Sequence, residues 1–138
     1  MANALYPKFK QELLKATAAA SLNGTGTTGV YAALIDIGVA TYNAAHQYFN
    51  SIAAGQIGTE QEITSKTFVD GLFDGADVVV PSVTGANAEA IAIFVKTAGA
   101  NTTWTLVAWL DTGVTGLPVL PNGGNINITW HASGIFQL

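Results

Sequence analysis

The amino-acid sequence predicts a mainly β domain of the sandwich or jelly-roll type, with six or seven short strands, an N-terminal helix and a short second helix. From about residue 62 onward, short runs of β-branched and aromatic residues alternate with segments rich in glycine, proline and asparagine. This spacing is typical of strands and turns in sandwiches and barrels. A length of 138 residues suits one domain with its own hydrophobic core. We therefore expect a single domain, 1–138, composed of an N-terminal arm, 1–29, and a β-rich body, 30–138.

The N-terminal segment, residues 4–20, has the pattern of an amphipathic helix. Leu5, Phe9 and Leu13 fall at intervals of four, which places them on one helical face, and lysine, glutamine and glutamate occupy the other. The segment that follows, NGTGTTG, contains no strong helix former. The arm is thus predicted to be a helix followed by a Gly/Thr linker, and to be either an interaction arm or a docked helix.

The remaining elements are predicted from periodicity and turn signals. A short second helix is predicted over residues 43–54, where Ala44, Tyr48 and Ile52 recur at fourfold spacing before Gly55. Strands are predicted where apolar or alternating runs end at turn residues, over 30–37, 63–69, 78–80, 88–95, 104–110, 125–131 and 133–138.

Two tryptophans lie on the strand predicted over 104–110. Trp104 and Trp109 are an odd number of positions apart, so their side chains should point to opposite faces. Either one of them is exposed at an interface, or both faces of the strand are covered by a two-sided core. Together with the apolar side of the arm, they give six candidate interaction residues: Leu5, Tyr6, Phe9, Leu13, Trp104 and Trp109.

One motif is typical of nucleotide binding, but its context argues against that function. Residues 24–29 match G-x-G-x-x-G, which binds a pyrophosphate where a strand precedes the loop and a helix follows it. Here a predicted helix comes first and a predicted strand follows. We therefore expect no cofactor.

The candidate metal and catalytic residues do not form a recognisable constellation. Asp70, Asp74 and Asp77 lie in DGLFDGAD, but their spacing is not that of an EF-hand loop, so a solvated turn is predicted instead of a metal site. The two histidines, His46 and His131, are far apart in sequence, and the chain contains no cysteine. With neither a nucleophile nor a base identifiable, we predict no catalytic residues and no enzymatic activity.

The charge content is the most informative bulk property. Only 10% of residues are charged, against about 25% in a typical soluble domain. The net charge is −4, with five lysines and no arginine, which argues against nucleic-acid binding. No apolar stretch reaches the length of a membrane helix, and no secretory signal is predicted. A surface of threonine, asparagine, glycine and alanine is either simply neutral or suited to burial against protein, and we expect the latter, in a homo-oligomer such as a trimer.

Four segments of the chain resemble a family of small structural proteins of tailed bacteriophage particles: MANALYPKFKQELL, TSKTFVDGLFDGADVVVPSVTG, AEAIAIFVKT and TGLPVLPNGGNINITWHASGIFQL. The family pattern resembles an initial M-A-N-A-x-Y-P-x-F-K, a central K-T-x-x-D-G-x-F-D-A-D and a closing G-L-P-V-x-P-N-G-G-x-I. The resemblance covers most of the chain and is weakest over residues 20–60. These motifs are structural, so the resemblance implies a particle component without an active site.

The resemblance implies a location in the virion, after synthesis in the bacterial cytoplasm, and partners such as the major capsid protein or other virion proteins. The expected role is a capsid decoration, or cement, protein that stabilises the head shell. A tail- or fibre-associated subunit is the alternative of the same class. A host-surface or carbohydrate-binding module that uses exposed aromatic residues is the alternative of another class.

Overall fold

The computed structural model of the chain describes residues 3–138 and confirms the mainly β class. Within these residues there is one α-helix, α1 (Pro7–Leu14), and several short 3₁₀ turns. Nine β-strands are present in the same residues: β1 (Ala4–Leu5), β2 (Val30–Ile35), β3 (Gln56–Glu62), β4 (Leu72–Phe73), β5 (Val78–Val80), β6 (Ala90–Val95), β7 (Thr105–Leu110), β8 (Ile126–Ile128) and β9 (Phe136–Gln137). No helix among these described residues is long and apolar enough to cross a membrane.

The strands form a sandwich-like arrangement of antiparallel sheets. The main sheet has the order β1-β7-β6-β2-β3, and two short ladders pair β4 with β9 and β5 with β8. Strands β6 and β7 are buried along their whole length, and β2 is buried except for Tyr31. This explains why their sequences are continuously apolar, because a strand covered on both faces has no solvent side to make polar.

The N-terminal segment is part of the core in the structure, and not a separate arm. Strand β1 pairs with the edge of β7, with Leu5 opposite Ala108, and the Tyr6 amide donates a hydrogen bond to the Val107 carbonyl at 2.9 Å. Tyr6 and Phe9 are completely buried. The helix is also shorter than the predicted 4–20, because the first residues are used to cover the edge of β7.

The predicted linker and the predicted second helix both differ from the observed structure. Gly26–Thr28 forms a 3₁₀ turn, and the Gly26 amide donates to the Glu62 carboxylate at 2.8 Å. The helix predicted over 43–54 is wrong, since the structure has only the 3₁₀ turns Phe49–Ser51 and Ala53–Gly55 there. Backbone groups on either side of Tyr48 bond to the edge of β7 instead, which competes with helical hydrogen bonds.

The strand predicted over 63–69 is also wrong. The strand in this part of the sheet is β3, which ends at Glu62, and its register against β2 shifts between Ala32 and Leu34. Gly58 lies in this irregular stretch with a φ of 69°, which favours glycine. The polar sequence of β3 lacks the alternation that would have marked it as a strand.

Candidate interaction surface

Several large apolar side chains are exposed in the described part of the chain. Single exposed apolar residues are normal, so the informative feature is where several of them share one surface. The exposed set is Leu13, Leu14, Ile37, Val39, Phe68, Val69, Val79, Leu120 and Leu138.

Two of these residues, Phe68 and Leu138, open onto one apolar cleft of about 140 Å³. We call it the Phe68–Leu138 cleft. A cavity of about 150 Å³ can hold a benzene molecule, so this cleft can take a single leucine or phenylalanine side chain. Its lining contains no charged side chain and consists of Leu22, Phe68, Gly71, Leu72, Phe73, Phe136 and Leu138.

The walls of the cleft are formed by pairing between two distant segments. Strands β4 and β9 are antiparallel, with Phe73 opposite Phe136, and the Leu138 amide donates to the Gly71 carbonyl at 3.0 Å. The Gln137 side-chain amide donates to the Asp70 carbonyl at 2.9 Å. These bonds hold the turn Val69–Gly71 against the end of β9, so the cleft is a fixed feature of the fold.

A row of aromatic rings joins the cleft to the core. The ring centroids of Phe68 and Phe73 lie 5.8 Å apart, and those of Phe73 and Phe136 lie 5.0 Å apart. Phe136 then meets Phe9 of α1 edge to face at 6.5 Å. Such pairs add to the stabilisation from burial. The helix therefore supports the cleft from behind through Phe9.

The segment beside the cleft is acidic. Residues 70–77 contain three aspartates and no basic residue. Asp74 accepts a hydrogen bond from the Gly75 amide at 2.9 Å, and Asp77 accepts one from the Trp130 amide at 3.0 Å. Within residues 3–138, no three histidine, cysteine or acidic side chains come together as a possible metal site. Two of the three carboxylates thus accept hydrogen bonds from backbone amides, while Asp70 is exposed at the turn.

The six candidate interaction residues occupy different environments. Tyr6, Phe9 and Trp109 belong to the buried core, so they cannot contact a partner on this fold. Leu5 and Trp104 are half-buried, and Leu13 is exposed. Tyr6, Phe9 and Trp109 are buried although the sequence makes them candidates for an interface, because an amphipathic pattern identifies an apolar side of an element but not whether the chain itself or a partner covers it.

Trp104 and Trp109 support the interpretation of a core on both sides of β7. Trp109 is 1% exposed. Trp104 stacks on Phe94 with centroids 5.6 Å apart and an interplanar angle of 5°, and it also meets Phe49 at 5.9 Å. Strand β7 is buried along its whole length and so is covered on both faces, with Trp109 in the strand and Trp104 directly before it.

Lys96 and Glu60 form a charged cluster beside this aromatic group. The Lys96 ammonium lies 4.6 Å from the ring centroids of both Tyr31 and Trp104, and 2.9 Å from a Glu60 carboxylate oxygen. The other Glu60 oxygen accepts from the Gln56 side chain at 2.9 Å. Burial by itself raises the pKa of the Glu60 carboxyl, but the hydrogen bonds from Lys96 and Gln56 outweigh it and hold the pKa below its ordinary value. These contacts link β3, which contains Glu60, to Lys96 at the end of β6.

His131 and the glycine motif are also occupied by local contacts, whereas the buried Nδ1 of His46 has no hydrogen-bond partner among the described residues. His131 is exposed and its Nδ1 accepts from the Ser133 amide at 3.1 Å, while His46 lies in the loop beside β7. In the glycine motif, the Lys66 ammonium donates to the Gly24 carbonyl and the Glu62 carboxylate accepts from Gly26. The chain's own side chains therefore bind the backbone groups of this loop.

A scan against protein-family models finds no match for the chain, and a search of curated proteins likewise finds none. The Phe68–Leu138 cleft is therefore assigned as the candidate functional site on its geometry alone.

Proposed function

We propose that this protein is a non-enzymatic structural component of a bacteriophage particle, a decoration protein on the head shell, in which the Phe68–Leu138 cleft is a site of protein contact. The observation that carries the proposal is an open, uncharged apolar cleft on a chain with only 10% charged residues. Such a cleft gains free energy when a partner covers it, because apolar surface is removed from water.

The motifs that resemble the phage family support the same assignment. The segment TSKTFVDGLFDGADVVVPSVTG contributes Phe68, Leu72 and Phe73, and the closing segment ends in GIFQL, which contributes Phe136 and Leu138. Two separate stretches of the resemblance thus meet in space at one cleft. A structural family that assembles through protein contacts would need such a surface.

The proposal is tested by adding the purified protein to phage head shells that lack decoration and measuring co-sedimentation. We expect the wild type to bind shells to saturation. Phe68→Ser should weaken binding at least tenfold, since a central apolar contact of about 1.4 kcal/mol or more is lost. Leu120→Ser is the matched control, because Leu120 is equally apolar and exposed but does not line the cleft.

The location of the protein on intact particles separates the alternatives. Antibody-gold labelling confined to the tail would replace the decoration role with a tail- or fibre-associated one. Binding to host cells or to their surface polysaccharide, without any label on the particle, would favour the host-surface module and contradict the proposal.

A further inference from the structure

We infer that the partner in the Phe68–Leu138 cleft is the C-terminal end of helix α1 of a second copy of this chain. The inference rests on the proposed role of the cleft as a contact site and names its occupant. It follows from three observations: an exposed apolar projection, a cleft of matching size, and opposite charges around the two.

The projection is Leu14 at the end of α1. It is 90% exposed, more than any other large apolar side chain in the described residues, and its neighbour Leu13 is also exposed. The helix stops here because Ala16 has a φ of 54°, which turns the chain away. Leu14 therefore projects from a helix that Phe9 anchors in the core, and its side chain matches the cleft volume of about 140 Å³.

The charges around the two surfaces are complementary. Three lysines and one glutamate give residues 7–15 a net charge of +2, although the whole chain carries −4. Gly71, Leu72 and Phe73 line the cleft, and the residues on either side of this stretch are Asp70 and Asp74. Lys15 is paired with Glu12 at 3.2 Å, but Lys10 is exposed one helical turn before Leu14, and Asp70 is exposed beside the cleft. Opposite potentials of this kind orient two surfaces during association.

The same charges disfavour the other pairings of two copies. Cleft against cleft would bring two copies of the Asp70 turn together, and helix end against helix end would bring together two copies of Lys10, the exposed lysine one turn before Leu14. Like charges in contact are penalised, so helix end against cleft is the favoured arrangement. Each copy carries both the helix end and the cleft, so copies can join head to tail. Such a contact closes into a ring when the rotation between neighbouring copies divides a full turn.

The test uses two single variants of the full chain and their mixture, followed by sedimentation velocity over a range of concentrations. Leu14→Asp destroys the projection and keeps the cleft, whereas Phe68→Ser damages the cleft and keeps the projection. Each variant alone should associate at least tenfold more weakly than the wild type. An equimolar mixture should recover pairs, because the intact cleft of one variant can bind the intact helix end of the other.

Two controls complete the design. Leu120→Asp places the same charge on an exposed leucine outside both surfaces and should associate like the wild type. Raising the salt from about 0.05 M to about 0.5 M should weaken wild-type association several-fold, because exposed complementary charges are screened. Circular dichroism of each variant checks that it is folded.

The outcomes separate this inference from the proposed function. A wild type that stays monomeric but binds shells through Phe68 would overturn the inference, since the cleft then binds the shell protein and the decoration role stands. Association through Leu14 and Phe68 without shell binding would support the inference and contradict the decoration role. Normal association of Leu14→Asp, or a mixture that recovers no pairs, would also overturn it.

Discussion

Lys96, one of five lysines in the chain, contacts two aromatic rings and one carboxylate. Its ammonium faces Tyr31 and Trp104, each ring centroid at 4.6 Å, and it pairs with Glu60. A cation over an aromatic face is attracted to the ring, more strongly when partly shielded from water. Both charged side chains are about one-fifth exposed. The cluster thus joins the polar edge strand β3 to the buried aromatic group through a pair that only partly loses its hydration.

The Glu60–Lys96 pair predicts a pH-dependent contribution to stability. Folding lowers the pKa of the Glu60 carboxyl from its ordinary value of 4.5. As the pH falls, the folded protein therefore binds fewer protons at Glu60 than the unfolded chain does. The pair therefore stabilises the fold above about pH 4.5, and this contribution is lost as the pH falls through the folded pKa. We expect Glu60→Gln to lower the free energy of unfolding by about 1 kcal/mol at pH 7, and the gap to shrink near pH 3.

Urea unfolding of the wild type and the variant at both pH values measures this gap. In a Lys96→Met background, Glu60→Gln should cost little more, because the two residues act as one unit. Lys96→Arg keeps a cation over the rings and is the matched control. A gap that is the same at both pH values would contradict the assignment.

Single residues also show what the sequence could and could not predict. The sequence identifies Phe9, Trp104 and Trp109 as large apolar side chains and as candidate interaction residues, with a two-sided core as the alternative for the tryptophans. The structure buries Phe9 and Trp109 within the chain's own core. Periodicity predicts which side of a helix or strand is apolar. It does not predict which other element packs against that side.

At the scale of elements, the N-terminal segment is the main revision. Strand β1 lies along the edge of β7, and α1 follows directly with Phe9 in the core. An uncovered edge strand exposes unpaired backbone groups and is a site of aggregation. The segment 4–9 therefore belongs to the β-body that the sequence placed only from residue 30 onward.

We expect a truncation that removes residues 1–20 to give an unfolded or aggregated product, whereas a dispensable arm would leave a folded domain. A milder test compares two positions of α1. Phe9→Ala should lower the free energy of unfolding by about 3–5 kcal/mol, because it empties a buried aromatic site. Leu14→Ala should change it by less than about 0.5 kcal/mol, since Leu14 is exposed. Equal effects of the two substitutions in denaturant unfolding would contradict this account.

Strands with strong apolar runs were predicted well, and the two-residue strands were not. The predicted strand 78–80 coincides with β5, and the prediction over 104–110 differs from β7 by one residue. Strands β1 and β4 were missed because each has two residues, too short for a periodic signal. The cleft was missed for the same reason, since it depends on Phe73 pairing with Phe136.

On the scale of the whole molecule, the low charge content is consistent with the burial of the central strands of the main sheet. The central strands are covered on both faces, so the few charges are distributed over turns, edges and α1. That distribution places Lys10 on the exposed side of α1 and Asp70 beside the apolar cleft. The net charge of −4 makes two copies repel weakly, and the inferred head-to-tail contact is the arrangement that brings Lys10 of one copy near Asp70 of the other.

The decoration role predicts that the protein raises the thermal stability of the shell. A ligand that binds only the intact assembly stabilises it by an amount that grows with the logarithm of its concentration, about 2.7 kcal/mol per site at one hundred times the Kd. The temperature of shell disruption, followed by light scattering or by release of packaged DNA, should therefore rise with added protein until the sites are full. Phe68→Ser should require at least tenfold more protein for the same rise, and Leu120→Ser should match the wild type. Leu14→Asp distinguishes the two occupants of the cleft: if the cleft holds the helix end of a neighbouring copy, this variant should require the same excess of protein as Phe68→Ser, whereas if the cleft binds the shell protein directly it should match the wild type. A disruption temperature that stays constant while the shells are saturated would contradict the decoration role.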